Sequence, residues 1–265
     1  MRRLQKMPTP QGKGAGQTAT VKLPLGPTYH TLFIRAKTAA GVDITAANWK
    51  NEIGDVRVSV NGDTRIEADA AYLVADSLFY GQTLVNGVLP IHLSQPWART
   101  KEGEENTAYG TSQNMASFTL EIDQINALTN FEVFAVQSEA RPFGAHLRVQ
   151  KFVDQMTLTG TKEVSDLPRG AYNLLGAHIN SASIDVVEVL ANNLKVHESD
   201  KAIRTAEQKT IGRVAQAGFT HIDLMSGNQL GNALPMALND FRLKLDFTAA
   251  PNSYEIYTKS IQGVV

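Results

Sequence analysis

The 265 residues include no cysteine. Thiol catalysis, a disulfide scaffold and Cys-ligated zinc or iron–sulfur centres are therefore excluded. No run of 18 apolar residues occurs, so no segment is expected to cross a membrane as a helix. The N-terminus is basic but no apolar stretch follows it, so a secretory signal is not expected. Aromatic residues make up only 7% and are not interleaved with basic ones, which argues against a stacking platform for nucleic acid. The net charge is −1, so the chain as a whole is not a polyanion binder. What remains is ordinary globular composition, 43% apolar and 19% charged, in a chain long enough for two medium domains.

Signatures of chemistry are equally scarce. The six histidines, His30, His92, His146, His178, His197 and His221, form no H-x-H, H-E-x-x-H or other metal-ligand spacing. His92 and His221 flank apolar strand words and are expected at sheet edges or subunit contacts. No G-x-S-x-G elbow and no Walker loop is present; Gly12-Lys13-Gly14-Ala15-Gly16 has no strand before it and no G-K-[ST] after it. Glu102, Glu104 and Glu105 fall in a polar stretch, 99–113, expected to be a surface loop. Their charge alone raises calcium between subunits, and no other cofactor is expected. Trp49 and Trp97 are expected to pack on their own domain rather than to grip a sugar. No catalytic residue is assigned.

Charge is unevenly placed. Residues 1–42 hold Arg2, Arg3, Lys6, Lys13, Lys22, Arg35 and Lys37 and no acid, a segment of +7 against −8 for the rest. Residues 1–20, rich in Gly, Gln, Thr and Pro, bring too little apolar surface to order themselves alone. They read as a basic arm, either solvated or lying on a neighbouring subunit or an anionic layer. Arg2, Arg3, Lys6 and Lys13 are its candidate membrane- or subunit-facing residues.

The chain also repeats itself. Leu23-Pro24-Leu25-Gly26 recurs 144 positions on as Leu167-Pro168-Arg169-Gly170, each followed by a tyrosine, Tyr29 and Tyr172. Asp55-Val56-Arg57-Val58 recurs loosely 130 positions on, from Asp185. Phe118-Thr119-Leu120-Glu121-Ile122-Asp123 recurs 123 positions on as Phe241-Arg242-Leu243-Lys244-Leu245-Asp246, and Phe131-Glu132-Val133-Phe134 as Tyr254-Glu255-Ile256-Tyr257 at the same offset. The common order implies two copies of one domain, 21–142 and 143–265. Within each copy apolar residues alternate with polar ones, as at Val56, Val58 and Val60, or Phe118, Leu120 and Ile122. That is the period of a strand with one dry face. Asn61-Gly62 reads as a hairpin turn. A helical stretch follows, over about 68–80 in the first copy and 200–214 in the second, there with Ser199 as N-cap and Ile203, Glu207, Ile211 and Val214 on one face. The fold class is all-β: two tandem eight-stranded jelly-roll β-sandwiches, each with a short inserted helix.

This arrangement resembles the double jelly-roll major capsid proteins of tailless, membrane-containing icosahedral bacteriophages, in particular the corticovirus type. The resemblance is carried by Val21-Lys22-Leu23-Pro24-Leu25-Gly26-Pro27-Thr28-Tyr29, Asp55-Val56-Arg57-Val58, Glu163-Val164-Ser165-Asp166-Leu167-Pro168-Arg169, Ala177-His178-Ile179 and Asp240-Phe241-Arg242-Leu243-Lys244-Leu245-Asp246. It implies a non-enzymatic protein of the virion, made in the host cytoplasm. Its homotrimers would form pseudo-hexameric capsomers that tile a shell over an internal lipid layer. The implied partners are further copies of the chain, neighbouring capsomers, and minor capsid or membrane proteins, with no specific nucleic acid. The basic arm would then face inward, and the loops around 99–113 and 226–236 outward or into tile contacts. The alternative reading is a tandem β-sandwich that binds carbohydrate or processes glycans, which requires exposed aromatics and two facing carboxylates. A bicupin would require the His cluster that is missing.

Overall fold

The computed structural model describes residues 1–98, 100–225 and 229–263. Arg99 and residues 226–228, where the two loops expected to face outward begin, lie outside the described residues. The chain divides into two compact units: one gathers Met1–Leu78 and Gln82–Gln150, the other Lys151–Gln262 together with Phe79–Gly81.

The first unit contains strands β1 (Arg3–Lys6), β2 (Thr18–Lys22), β3 (Thr28–Lys37), β4 (Ile53–Val60), β5 (Asp63–Asp69), β6 (Val88–His92), β7 (Tyr109–Gly110), β8 (Phe118–Gln124) and β9 (Thr129–Ser138). Three helices lie among them: α1 (Trp49–Glu52), α2 (Ala70–Phe79, in this unit up to Leu78) and α3 (Lys101–Glu105). One sheet runs β1-β9-β3-β6, with β7 added to the end of β3, and the facing four strands run β2-β8-β4-β5. The second unit contains β10 (His146–Met156, in this unit from Lys151 onward), β11 (Gly160–Val164), β12 (Tyr172–Ile179), β13 (Ile184–Ala191), β14 (Leu194–Ser199), helix α4 (Lys201–Thr210), β15 (Thr220–Asp223), β16 (Leu234–Pro235), β17 (Phe241–Phe247) and β18 (Asn252–Gln262). Its strands run β10-β18-β12-β15, with β16 on β12, and β11-β17-β13-β14. The two orders are the same order. Each is the pair of four-stranded sheets of a jelly roll, and the helix leaves β5 in one unit and β14 in the other.

Alternation places the core. Val56, Val58, Val60, Phe118, Leu120 and Ile122 are buried between the first pair of sheets. Val187, Val189, Leu243, Leu245 and Phe247 are buried between the second. Each such side chain contributes about 1.5–3 kcal/mol by leaving water. The polar residues between them form ladders on the outer faces. Arg57 stands opposite Glu121 in the first unit, and Glu188 opposite Lys244 in the second, the same row with the signs exchanged.

Strand pairing refines the internal repeat. Val56 pairs with Ile122 and Val187 with Leu245, so Val56 corresponds to Val187, one residue beyond the alignment read from Asp55 and Asp185. A slip of one would set Val58 against the outward Glu188. Both strands carry the same register irregularity at their start, between Ile53 and Val56 and between Ile184 and Val187, so the correspondence holds across it. In the same way Tyr29 corresponds by register to Leu174 rather than Tyr172. Both tyrosine hydroxyls nevertheless donate to a proline carbonyl of the repeated motif, Tyr29 to Pro24 and Tyr172 to Pro168.

Three more devices occur twice. Asn61 and Asn192 both end a strand with positive φ, 53° and 48°. Each side-chain carbonyl accepts two backbone N–H groups across the loop, from Ala116 and Ser117 in one unit and from Asn239 and Asp240 in the other. Asn130 and Asn252 repeat the left-handed backbone near the start of the last strand. The inserted helices share a cap: Asp69 accepts from the N–H of Tyr72, and Asp200 from that of Ile203. The cap of α4 is therefore Asp200 and not Ser199. The α4 face also differs from expectation. Ile203 is 62% exposed, whereas Arg204 and Gln208 point inward. Arg204 donates to the carbonyls of Asp185, Ser199 and Ile184, so the helix is docked by hydrogen bonds to β13 and β14 rather than by an apolar stripe.

Candidate functional site

The sequence assigns no catalytic group, and the structure gives most of the histidines separate local partners. His30 Nε2 lies 2.8 Å from Ser138 Oγ, and burial lowers its pKa. His146 Nδ1 contacts the Gly144 carbonyl, and burial pushes it down to about 4. His197 pairs with Ser199 Oγ. His92 packs edge-on against Trp97. Only His178 and His221 meet, with their Nδ1 atoms 2.6 Å apart. His92 and His221 lie on the edge strands β6 and β15, as expected, but His221 is buried. Among the described residues no three His, Asp or Glu side chains are placed to hold a metal ion. Trp49 is buried in the first unit and Trp97 half-buried, as expected of tryptophans packed on their own domain.

Residues 100–113 form more than a surface loop. Thr100 Oγ1 accepts the Gly103 N–H and caps α3, with Glu102 and Glu104 in its first turn, where the helix dipole favours acids. Beyond it Thr107, Ala108, Tyr109 and Thr111 are buried. The Tyr109 hydroxyl donates to the Leu147 carbonyl, and burial holds that phenol strongly protonated. At Gly110 a Cβ would collide with the carbonyls of Arg141 and Pro142, so glycine is required there.

The basic arm is a strand. β1 adds to β9 with Arg3 opposite Gln137 and Lys6 opposite Phe134, and Met7 follows as a buried anchor whose N–H donates to Val133. Arg2 bridges Glu104 at 2.6 Å and Glu105 at 3.2 Å, and Lys6 meets Glu132 at 2.6 Å. Lys6 lowers the pKa of Glu132. The N-terminal amine meets Glu139, and Lys13 donates to the Phe131 carbonyl while lying over its ring. Arg3 is exposed. Such exposed ion pairs stabilise little and weaken with salt. The arm thus lies along its own unit on exchangeable contacts. A shallow recess of about 570 Å³ beside it is lined by Arg2, His30, Glu104, Glu105, Glu139 and Arg141, a mixture of both signs rather than an apolar pocket.

With no converging chemistry among the described residues, the surface offered by two like sandwiches is the candidate functional feature. Family models of the viral coat protein P2 match both halves in order, the N-terminal domain over residues 4–138 and the C-terminal domain over 147–264. The major capsid protein P2 of Pseudoalteromonas phage PM2 is 24% identical over 245 residues, covering 88% of this chain and 87% of that one. Its crystal structure superposes with a TM-score of 0.88 at 21% identity, over 100% of this chain and 98% of that one. The crystal structure of the STIV MCP matches with a TM-score of 0.68 at 12% identity, over 98% and 96% of the two chains.

Proposed function

The chain belongs to the viral coat protein P2 family, and from that premise we propose that it is the major capsid protein of a tailless bacteriophage. The observation that carries this reading is the repeat of one eight-strand topology in both units, each matched by its own P2 domain. The role is structural and not enzymatic. Three copies would place six sandwiches in one capsomer, giving a three-fold object with a near six-fold outline that tiles an icosahedral lattice through repeated contacts. The protein then acts in the virion after synthesis in the host cytoplasm. Its partners are its own copies, neighbouring capsomers and minor capsid proteins, and an internal lipid layer lies beneath the shell. On this reading no cofactor is needed for folding, and calcium between subunits would show as particles lost in chelator.

The arm fits an inward role. Arg3 is exposed, and Arg2 and Lys6 are held by surface pairs that an anionic headgroup can displace. Light scattering of the purified protein is expected to return three times 28.8 kDa; a monomer at micromolar concentration overturns the capsomer. Particles assembled without residues 1–20 are expected to lose lipid. Full assembly and lipid retention by that truncation would remove the arm from the scheme.

A further inference from the structure

The His178–His221 pair has a place in the second unit that the capsid reading does not use. Its row across the sheet is Tyr257 on β18, His178 on β12 and His221 on β15. The neighbours of that row, Ile256, Ala177 and Ile222, belong to the sandwich core, so alternation sends the row to the opposite, outer face. His178 and His221 are nonetheless only 1% and 2% exposed, because a cover lies over them. Phe79 stacks on His221 with ring centroids 4.2 Å apart, and Tyr80 sits between the charges of Arg213 and Lys259, each 4.3 Å from its ring centroid. Val214 N–H donates to the Phe79 carbonyl, which ties the segment after α4 to the same cover. Gln208, from α4, donates to the His221 carbonyl.

The hydrogen bonds dictate where protons can be. Gln216 N–H points at His221 Nε2, at 3.3 Å, so that nitrogen is an acceptor and the ring carries its proton on Nδ1. Nδ1–H then donates to His178 Nδ1, which must be bare, and His178 carries its proton on Nε2. Both rings are neutral, in opposite tautomers. A further proton has two places to go. On His178 Nδ1 it sets two N–H groups against each other; on His221 Nε2 it faces the Gln216 N–H. The first breaks the imidazole pair beneath the cover, and the second breaks the Gln216 bond that ties the cover down. The charged groups around the pair add to the cost. Arg213, paired with Asp223 at 2.6 Å, and Lys259 bring positive charge, Tyr80 is a neutral ring, and the Tyr257 hydroxyl is turned to Glu255. Burial first, then Lys259 and Arg213, hold the His178 imidazole well below the ordinary histidine range.

We propose that this neutral imidazole pair is an acid-sensitive latch, which keeps Phe79–Gly81 and the segment Arg213 to Gln216 closed over the outer face of the second jelly roll and releases them when either ring is protonated. The sign follows from linkage. An unfolded histidine titrates near pH 6.5 and the latched one does not, so the open or unfolded state takes up the proton. The stabilisation is complete above about pH 6.5 and is lost as pH falls below it, tenfold per pH unit for each ring kept neutral.

The test uses the full-length protein labelled with ¹⁵N-histidine. Two-bond proton–nitrogen spectra at pH 7.5 are expected to show Nε2–H on His178 and Nδ1–H on His221. Two rings in the same tautomer, or an imidazolium at either position while Val214 and Gln216 stay protected from exchange, overturns the latch. Hydrogen exchange at Val214 and Gln216, corrected for its intrinsic pH dependence, is expected to accelerate on acidification before that of β12; exchange in step with β12 overturns it as well. In urea titrations His178→Asn, whose Oδ1 replaces the accepting Nδ1, is expected to lose stability about tenfold less steeply per pH unit below 6.5 than the unsubstituted protein. Equal steepness contradicts the proposal. If that variant does not fold, the spectra and exchange of the unsubstituted protein decide alone.

Discussion

The two sandwiches use one outer-face row in opposite ways. In the first unit the row is Phe134, Phe33 and Pro90; by strand register the second unit has Tyr257, His178 and His221 there. The first row is apolar and partly exposed at Phe33 and Phe134, whereas the second is polar and buried. The inner rows of both units are aliphatic and aromatic at their centres, with polar residues such as Gln124, Gln137, Thr258 and Ser260 only towards their ends. The repeated topology therefore depends on the inward residues, and the outward ones are free to diverge into separate tasks. The ladder of Arg57 and Glu121 against Glu188 and Lys244 makes the same point, since attraction survives when both signs change.

If the inner rows are truly equivalent, matched substitutions should cost alike. The largest effect is expected from Leu120→Ala in the first unit and Leu243→Ala in the second, both at fully packed positions. Each should lose about 2–5 kcal/mol in chemical denaturation. A loss confined to one of them would show that one sandwich carries the stability of the fold. Next comes the asparagine turn. Asn61→Ala and Asn192→Ala each strip acceptors from two backbone N–H groups and put a Cβ-bearing residue without a compensating side chain at positive φ, for about 1–3 kcal/mol by thermal melting. Asn→Gly at the same sites should recover the backbone part of that loss. The smallest effect is the helix cap: Asp69→Ala and Asp200→Ala are each expected to cost about 1 kcal/mol. A cap that matters in only one unit would separate the roles of α2 and α4.

Much of this was legible before the structure. Strict alternation at Val56, Val58 and Val60, or at Leu243 and Leu245, reports a dry face because burial acts on every second side chain. The repeated words followed the true strand order for the same reason. What escaped was set by partners distant in sequence. β1 has no apolar pattern and is a strand only because β9 offers an open edge. The one-residue slip at Asp185 came from matching the word Asp55-Val56 to Asp185-Val186, which only cross-strand pairing corrects. The inward face of α4 was hidden because Arg204 and Gln208 read as solvent residues until backbone carbonyls are placed around them. The same holds for His178 and His221, which belong to strand words 43 residues apart and form no spacing motif. Asn61 and Asn192, and Asp69 and Asp200, did carry a readable signal, as identical residue types at one common spacing once the register is corrected.

The irregularities at the start of β4 and β13 set a rule for exchanging parts between the halves. Beyond each irregularity the strand is committed to one facing, so a graft cut upstream of it transfers the irregularity together with the residues whose direction it decides, and a graft joined one residue out of the Val56–Val187 correspondence turns valines toward water. Chimeras joined before Ile53 or Ile184 keep the donor strand in phase with its new neighbours, which makes these two positions the natural seams for recombining the halves.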